Sequence, residues 1–200
     1  MSKYDPQTHH RRSIRLKNYD YASAGGYFVT IVAWQRRCLF GEVVNKEMRL
    51  NRYGEIVQKW WNEIPIHFAN VETGAFVIMP NHIHGIIFIT GRRGTVPVPE
   101  EYSTNGISDK ENISPEILGG ETPPLRTPTL GQIVAYFKYQ STKEMNRFDN
   151  RGTVTKFWQR NYYEHILRDD RDLQNKTEYI HANPLLWEQD DENPDRNAPG

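Results

Sequence analysis

Ala75-Phe76-Val77-Ile78-Met79-Pro80-Asn81-His82-Ile83-His84-Gly85-Ile86-Ile87-Phe88-Ile89 is the stretch that decides the fold. Two apolar runs flank Pro80-Asn81, a pair suited to a tight turn, so the spacing predicts an antiparallel hairpin. Upstream, Gly26-Tyr27-Phe28-Val29-Thr30-Ile31-Val32-Ala33-Trp34 is rich in β-branched and aromatic residues after a Gly-Gly break and reads as a largely buried strand. Between the two, Asn45 is read as the cap of a helix running to about residue 63, with Met48, Ile56 and Trp60-Trp61 at near-helical spacing as packing residues. It ends before Pro65, and a short strand is expected over residues 66 to 71. Downstream, residues 91 to 128 lose apolar periodicity and collect Gly, Pro, Ser, Thr and Asn, as expected of a flexible insertion. Thr129 and Gln132 then form a capping box for a helix to about residue 147, with Leu130, Ile133, Val134 and Phe137 facing inward and Tyr136, Tyr139 and Lys143 outward. A strand-like stretch over residues 157 to 167 precedes a final helix that starts at Asp169 or Asp170 and stops by Pro184.

This order contains no series of parallel βαβ signals. It predicts an α+β ferredoxin-like sandwich, one antiparallel sheet with helices packed on one face. The expected organisation is a basic N-terminal arm over residues 1 to 25, a single domain over residues 26 to 187 interrupted by the insertion, and an acidic, fraying tail over residues 188 to 200.

A formal net charge of zero hides an uneven distribution. Residues 1 to 90 carry 11 Lys/Arg against 7 Asp/Glu, and residues 129 to 168 carry 7 against 3. The acidic balance lies in the insertion and after residue 168, which leaves a basic body able to meet phosphates. The single cysteine, Cys38, cannot form an internal disulfide and is expected to be a free buried thiol, which fits a reducing cytoplasm. No apolar run approaches the roughly 20 residues needed to cross a bilayer, and the N-terminus has no hydrophobic signal segment, so a soluble protein with no membrane partner is expected.

His82 and His84 alternate on a strand, which places both imidazoles on one face about 6.6 Å apart along the chain, close enough to share a metal. Ile83 between them should point into the core. Taken alone, a His-x-His pair is equally consistent with structural histidines. On the final helix, Asp172, Lys176, Tyr179 and Asn183 form one polar stripe at offsets of four, three and four, beside a more apolar stripe of Leu173, Thr177 and Ile180. A phenol thus sits between an ammonium one turn earlier and an amide one turn later, although a tyrosine packed against the sheet would satisfy the same pattern.

Met79-Pro80-Asn81-His82-Ile83-His84 resembles the signature of the single-tyrosine HUH transposases, and Trp158-Gln159-Arg160, Tyr163-Glu164-His165 and Tyr179-Ile180-His181-Ala182-Asn183-Pro184 are similar to the REP-associated tyrosine transposases of that family. The resemblance covers residues 11 to 90 and 129 to 187. It implies that His82 and His84 are metal ligands, that Tyr179 is the nucleophile and that Asn183 completes the metal site, where related enzymes often carry a glutamine. Tyr162 and Tyr163 are rival phenols on a strand-like segment. Lys176 and His165 are candidate supporting residues. Arg11, Arg12, Arg15, Lys17, Trp158 and Arg160 are candidates for DNA contact through phosphate pairing and base stacking.

The chemistry implied is transesterification of single-stranded DNA beside a hairpin of repeated palindromic sequence, with Mg²⁺ or Mn²⁺ as cofactor and a 5′-phosphotyrosine intermediate. A non-catalytic hairpin-binding module and a metal nuclease that uses water are the alternatives, and the residues are compatible with a monomer or a homodimer.

Overall fold

The computed structural model describes residues 19 to 90, 127 to 150, 152, 154 to 190, 192 to 194 and 196. In chain order the elements are β1 (Gly25–Val32), β2 (Gly41–Val44), β3 (Glu47–Leu50), α1 (Arg52–Asn62), α2 (Ile64–His67), β4 (Val71–Ile78), β5 (His82–Ile89), α3 (Leu130–Asp149), β6 (Tyr163–Leu167) and α4 (Asp170–Ala182), with a 3₁₀ helix at Asn183–Gln189. The main sheet has the order β4-β5-β1-β6, and all its pairings are antiparallel. Leaving out the β2-β3 hairpin, the short α2 and α4, this is the β-α-β-β-α-β arrangement of the ferredoxin-like sandwich.

Side-chain alternation along the central strands β1 and β5 divides the interior into two layers. Tyr27, Val29 and Ile31 of β1 and Ile83, Ile87 and Ile89 of β5 face a core closed by Ile56, Val57 and Trp61 of α1 and by Leu130, Ile133, Val134 and Phe137 of α3. Phe28, Ile86 and Phe88 face the other way, against Leu173 and Ile180 of α4. The expected single layer of helices is therefore corrected: α1 and α3 share one face, and α4 lies on the opposite one. The reason is legible in β5, which is buried along its whole length and needs cover on both sides.

Two local expectations are also corrected. Asn45 does not cap a helix. Asn45 and Lys46 both have positive φ, at 53° and 66°, and turn the β2-β3 hairpin. The helix starts at Arg52, capped by Asn51, whose side chain accepts from the backbone N–H groups of Tyr53 and Gly54. Residues 64 to 67 form the short α2 rather than a strand, and β4 begins only at Val71. The capping box of Thr129 and Gln132 is present at the start of α3. The described part of the N-terminal stretch packs onto the core through Tyr19 and Tyr21. Cys38, expected to be buried, is exposed.

Gly85 explains how two imidazoles can neighbour a tightly packed strand. A Cβ at Gly85 would lie 2.3 Å from Trp61 Cζ2. Trp61 itself stacks on Phe76 at 4.3 Å with an interplanar angle of 7° and is 2% exposed, so it has no room to retreat. Gly85→Ala is expected to lower stability by about 3 kcal/mol, the upper end of an overpacked core. Equilibrium urea unfolding measures this, and a loss below about 0.5 kcal/mol would contradict the packing described.

Candidate functional site

The site lies on the α4 face, at the end of β5 next to the Pro80-Asn81 turn. His82 and His84 are both buried, and their Nε2 atoms approach within 3.0 Å. His84 Nδ1 lies 2.8 Å from Thr30 Oγ1 on β1, the register partner of His84. His82 Nδ1 lies 2.9 Å from Asn81 Oδ1. The His84 ring stacks on Phe28 at 5.4 Å.

α4 brings the phenol. Its apolar stripe of Leu173, Thr177 and Ile180 is buried against the sheet, so the adjacent polar stripe runs along the histidine pair. Tyr179 Oη lies 3.4 Å from His84 Nε2, and the Tyr179 ring meets Phe28 and His84 edge-on at 6.0 and 5.1 Å. Tyr179 is 43% exposed, so the residue borders both the histidines and solvent. Lys176 Nζ stands 5.0 Å from the Phe28 ring and 6.0 Å from the Tyr179 ring.

Asn183, at the junction of α4 and the 3₁₀ helix, is 2% exposed, and its Oδ1 has no hydrogen-bond partner. A buried, unsatisfied acceptor costs about 1 to 3 kcal/mol, which makes it a place where a cation fits. Asp190 follows the 3₁₀ helix and completes a His-His-Asp cluster: one ligand atom from each of His82, His84 and Asp190 lies within 4.8 Å of the others. Asp190 Oδ1 accepts from Glu192 N at 2.7 Å, while Oδ2 lies 3.9 Å from His82 Nε2. Two imidazole nitrogens, a carboxylate and an amide oxygen form a donor set suited to a divalent ion and do not choose which one.

Electrostatics favour the ligand form of the histidines. His82 is lowered to about 4, chiefly by burial, with Asp190 and Asn183 partly opposing and the Arg36 charge adding to the fall. His84 lies well below its usual value through burial, with smaller contributions from His82 and Lys176. Both rings are therefore neutral at pH 7, as a metal ligand requires. The Tyr179 phenol is raised above its ordinary value, first by burial and then by Asp190, while a hydrogen bond from Asn183 acts in the opposite direction.

A cavity of about 710 Å³ opens beside these groups, with His84, Tyr179, Asn183 and Asp190 on one side and Gln159, Asn161, Tyr162 and Tyr163 on the other. The segment carrying the second group is held by Lys138, whose ammonium donates to the carbonyls of Gln159 and Asn161 at 2.9 Å each. Burial lowers Lys138 to about 8.

No protein-family model matches the sequence. An uncharacterised protein of Haemophilus influenzae is 41% identical over 190 residues, spanning 94% of this chain and 96% of its own, so the two belong to one family. A second protein of that organism, named "Putative REP-associated tyrosine transposase", is 25% identical over 179 residues, spanning 85% of this chain and 77% of its own. This chain is a relative of the REP-associated tyrosine transposases. A solved structure of a REP-associated tyrosine transposase bound to a REP hairpin aligns with 92% of this chain and 73% of that one, at a TM-score of 0.49 and 17% identity.

Of the residues that the transposase resemblance singled out, His82, His84, Tyr179, Asn183 and Lys176 come together within one chain, and no exchange of helices between subunits is needed to join them. His165 does not join them: its Nε2 pairs with Asp172 Oδ2 at 2.7 Å. Trp158 is corrected. It is 7% exposed, packed against Phe40 and Phe137 at 4.8 and 5.4 Å, and its Nε1 donates to Ser141 Oγ, so it is a core residue with no face free for a base. Arg160 is exposed. Arg11, Arg12, Arg15 and Lys17 lie outside the described residues, as do residues 91 to 126 of the insertion. No described helix is long and apolar enough to cross a membrane.

Asp190 was not singled out, because in sequence it belongs to an acidic run with no periodicity; only its position one residue beyond a Pro-initiated turn of helix hinted at order. Lys138 was missed because its partners are backbone carbonyls more than 20 residues away.

The depressed histidines make stability depend on pH. A pKa lowered to about 4 in the folded chain, against 6.5 unfolded, means that the unfolded chain binds more protons between those values. Stability is fully present above pH 6.5 and is lost as pH falls towards 4. The melting temperature of chelator-treated protein is expected to fall steadily across that window, and the double substitution His82→Gln with His84→Gln should flatten the slope. An unchanged slope in the double variant would place the titrating groups elsewhere.

Proposed function

We propose that this protein is a transposase-type endonuclease that cleaves and rejoins single-stranded DNA beside a hairpin, with Tyr179 as the nucleophile and His82, His84, Asn183 and Asp190 as the ligands of a divalent cation. The observation that carries this reading is the placement of the Tyr179 hydroxyl 3.4 Å from His84 Nε2, on a part-exposed residue that lines a cavity. Its relation to a REP-associated tyrosine transposase, and the resemblance of its two motif blocks, supply the substrate class: hairpin-forming DNA.

Tyr179 Oη attacks the scissile phosphorus, the P–O3′ bond breaks, and the products are a 5′-phosphotyrosine on the protein and a free 3′-OH on the DNA. A second 3′-OH then attacks the phosphotyrosine and returns the phenol, so rejoining needs no ATP. Tyrosine ionises near pH 10 in water, and burial makes the phenol here harder to ionise still. Two groups of this chain oppose that: the Asn183 amide favours the phenolate, and the Lys176 ammonium lies 6.0 Å from the ring centroid. A bound Mg²⁺ or Mn²⁺ would draw charge from the scissile phosphate and the departing oxygen. Gln159 and Asn161 line the cavity and suit nucleotides flanking the cut, and the exposed Arg160 suits a phosphate.

The test is to incubate end-labelled hairpin DNA carrying single-stranded flanks with the protein and Mn²⁺ and to look for an adduct that survives denaturation. Tyr179→Phe is expected to reduce the adduct by about 10³-fold or more, and Tyr163→Phe to leave it within about threefold of the parent. His82→Ala, or chelation of the metal, should abolish it. Cleavage without an adduct would mean a nuclease that uses water, and hairpin binding without cleavage would mean a recognition module.

A further inference from the structure

The turn residue Asn81, between the strand β4 and the first histidine, is fully buried and takes no part in the chemistry proposed above. Its side chain makes three hydrogen bonds. Nδ2 donates to the carbonyl of Arg36 at 3.1 Å and to the carbonyl of Glu192 at 2.6 Å. Both partners are backbone oxygens that can only accept, so the orientation of the amide is forced, and Oδ1 must face His82. An amide oxygen only accepts, hence the 2.9 Å contact with His82 Nδ1 requires a proton on Nδ1. Nε2 of His82 then carries its lone pair, aimed at His84 and Asp190.

His84 has no such lock. Its Nδ1 partner is the Thr30 hydroxyl, which can donate or accept as the ring requires. With His82 fixed, the 3.0 Å contact between the two Nε2 atoms is a hydrogen bond donated by His84, and Thr30 turns its hydroxyl to donate to His84 Nδ1. The pair therefore has one rigid ligand and one adaptable one. Asn81 also reaches the segment that carries Asp190. Glu192 is gripped twice, by Asn81 Nδ2 on its carbonyl and by Arg36 Nε on its carboxylate at 3.2 Å, and its own N–H holds Asp190 Oδ1.

We infer that Asn81 is a positioning residue that fixes His82 as the Nδ1–H tautomer and docks the Asp190 segment against it, setting the affinity of the site for a divalent cation. This rests on the metal-site reading of His82, His84 and Asp190, but not on Tyr179 or on DNA. The experiment therefore uses no DNA: two-bond ¹⁵N–¹H correlation spectra of the histidines in chelator-treated protein, and Mn²⁺ titration followed by electron paramagnetic resonance.

The parent should show His82 protonated at Nδ1. Asn81→Ala should lose that single tautomer and bind Mn²⁺ about 10 to 100-fold more weakly, the range found when a partner that orients a ligand is removed. Asn81→Asp, which keeps an acceptor for Nδ1–H, should restore the tautomer. His82 protonated at Nε2 in the parent would overturn the inference even if Asn81→Ala fails to fold. So would a folded Asn81→Ala that binds Mn²⁺ within twofold of the parent. A parent that passes these measurements yet forms no covalent adduct with hairpin DNA would leave the inference standing and remove the transposase reading.

Discussion

Two imidazoles, one residue apart on a central strand, meet nitrogen to nitrogen inside the protein, and the rest of the architecture answers to that contact. Both rings are buried, so each needs a partner for its second nitrogen; Asn81 and Thr30 supply them. Burial holds both rings neutral, and with His84 donating its Nε2 hydrogen, the Nε2 lone pair of His82 lies in a confined space beside Asp190. The same strand must turn its alternate residues, Ile83, Ile87 and Ile89, into the opposite core. Gly85, lacking a side chain, leaves the room that Trp61 fills where it crosses the strand on that side, so the packing of one layer constrains the strand that presents the histidines to the other.

α4 solves a related problem. A helix laid on the second face must be apolar where it meets Phe28, Ile86 and Phe88, yet polar where it borders the histidines, and its two adjacent stripes divide that work. Leu173 and Ile180 anchor it, and the 100° advance per residue then carries Lys176, Tyr179 and Asn183 along the edge of the site. The phenol is kept partly open because the helix covers the sheet only as far as the histidine pair. Tyr179 is left 43% exposed, while burial on its inner side and the Asp190 charge raise the phenol and the neighbouring Asn183 amide acts the other way.

Much of this was legible in the sequence because it is periodic. The hairpin around Pro80-Asn81, the alternation of His82, Ile83 and His84, the capping box at Thr129 and the stripes of α4 depend on residues within one turn or one strand of each other. Where reading failed, a local pattern was ambiguous or the partner was distant. Asn45 fits a helix cap by type, but Asn is also among the residues best able to take positive φ, and the Val43-Met48 register of a hairpin competes with helical spacing. Trp158, beside Arg160 in sequence, looked like a stacking platform; its indole is claimed by Phe40, Phe137 and Ser141, which come from two other parts of the chain. The sidedness of α4 could not be read from its own amphipathicity, which is the same whichever face of the sheet it covers.

Asp190 shows how a residue without any periodic signal enters such a site. The relatives that the sequence resembles often place a glutamine one turn after the tyrosine, and this chain has the shorter Asn183 there. One methylene less reduces reach, and the Asn183 oxygen remains unsatisfied beside the histidines. Asp190, on the segment that follows, adds a carboxylate at the same point. A negative ligand strengthens attraction for a divalent ion more than a neutral amide would, but it also opposes ionisation of Tyr179, whose phenol it raises. On the proposed reading, cation affinity and nucleophile activation are therefore set against each other by one side chain. The hydrogen bond from Asn81 and the ion pair with Arg36 that hold the Asp190 segment bear on how closely that carboxylate approaches the two histidines.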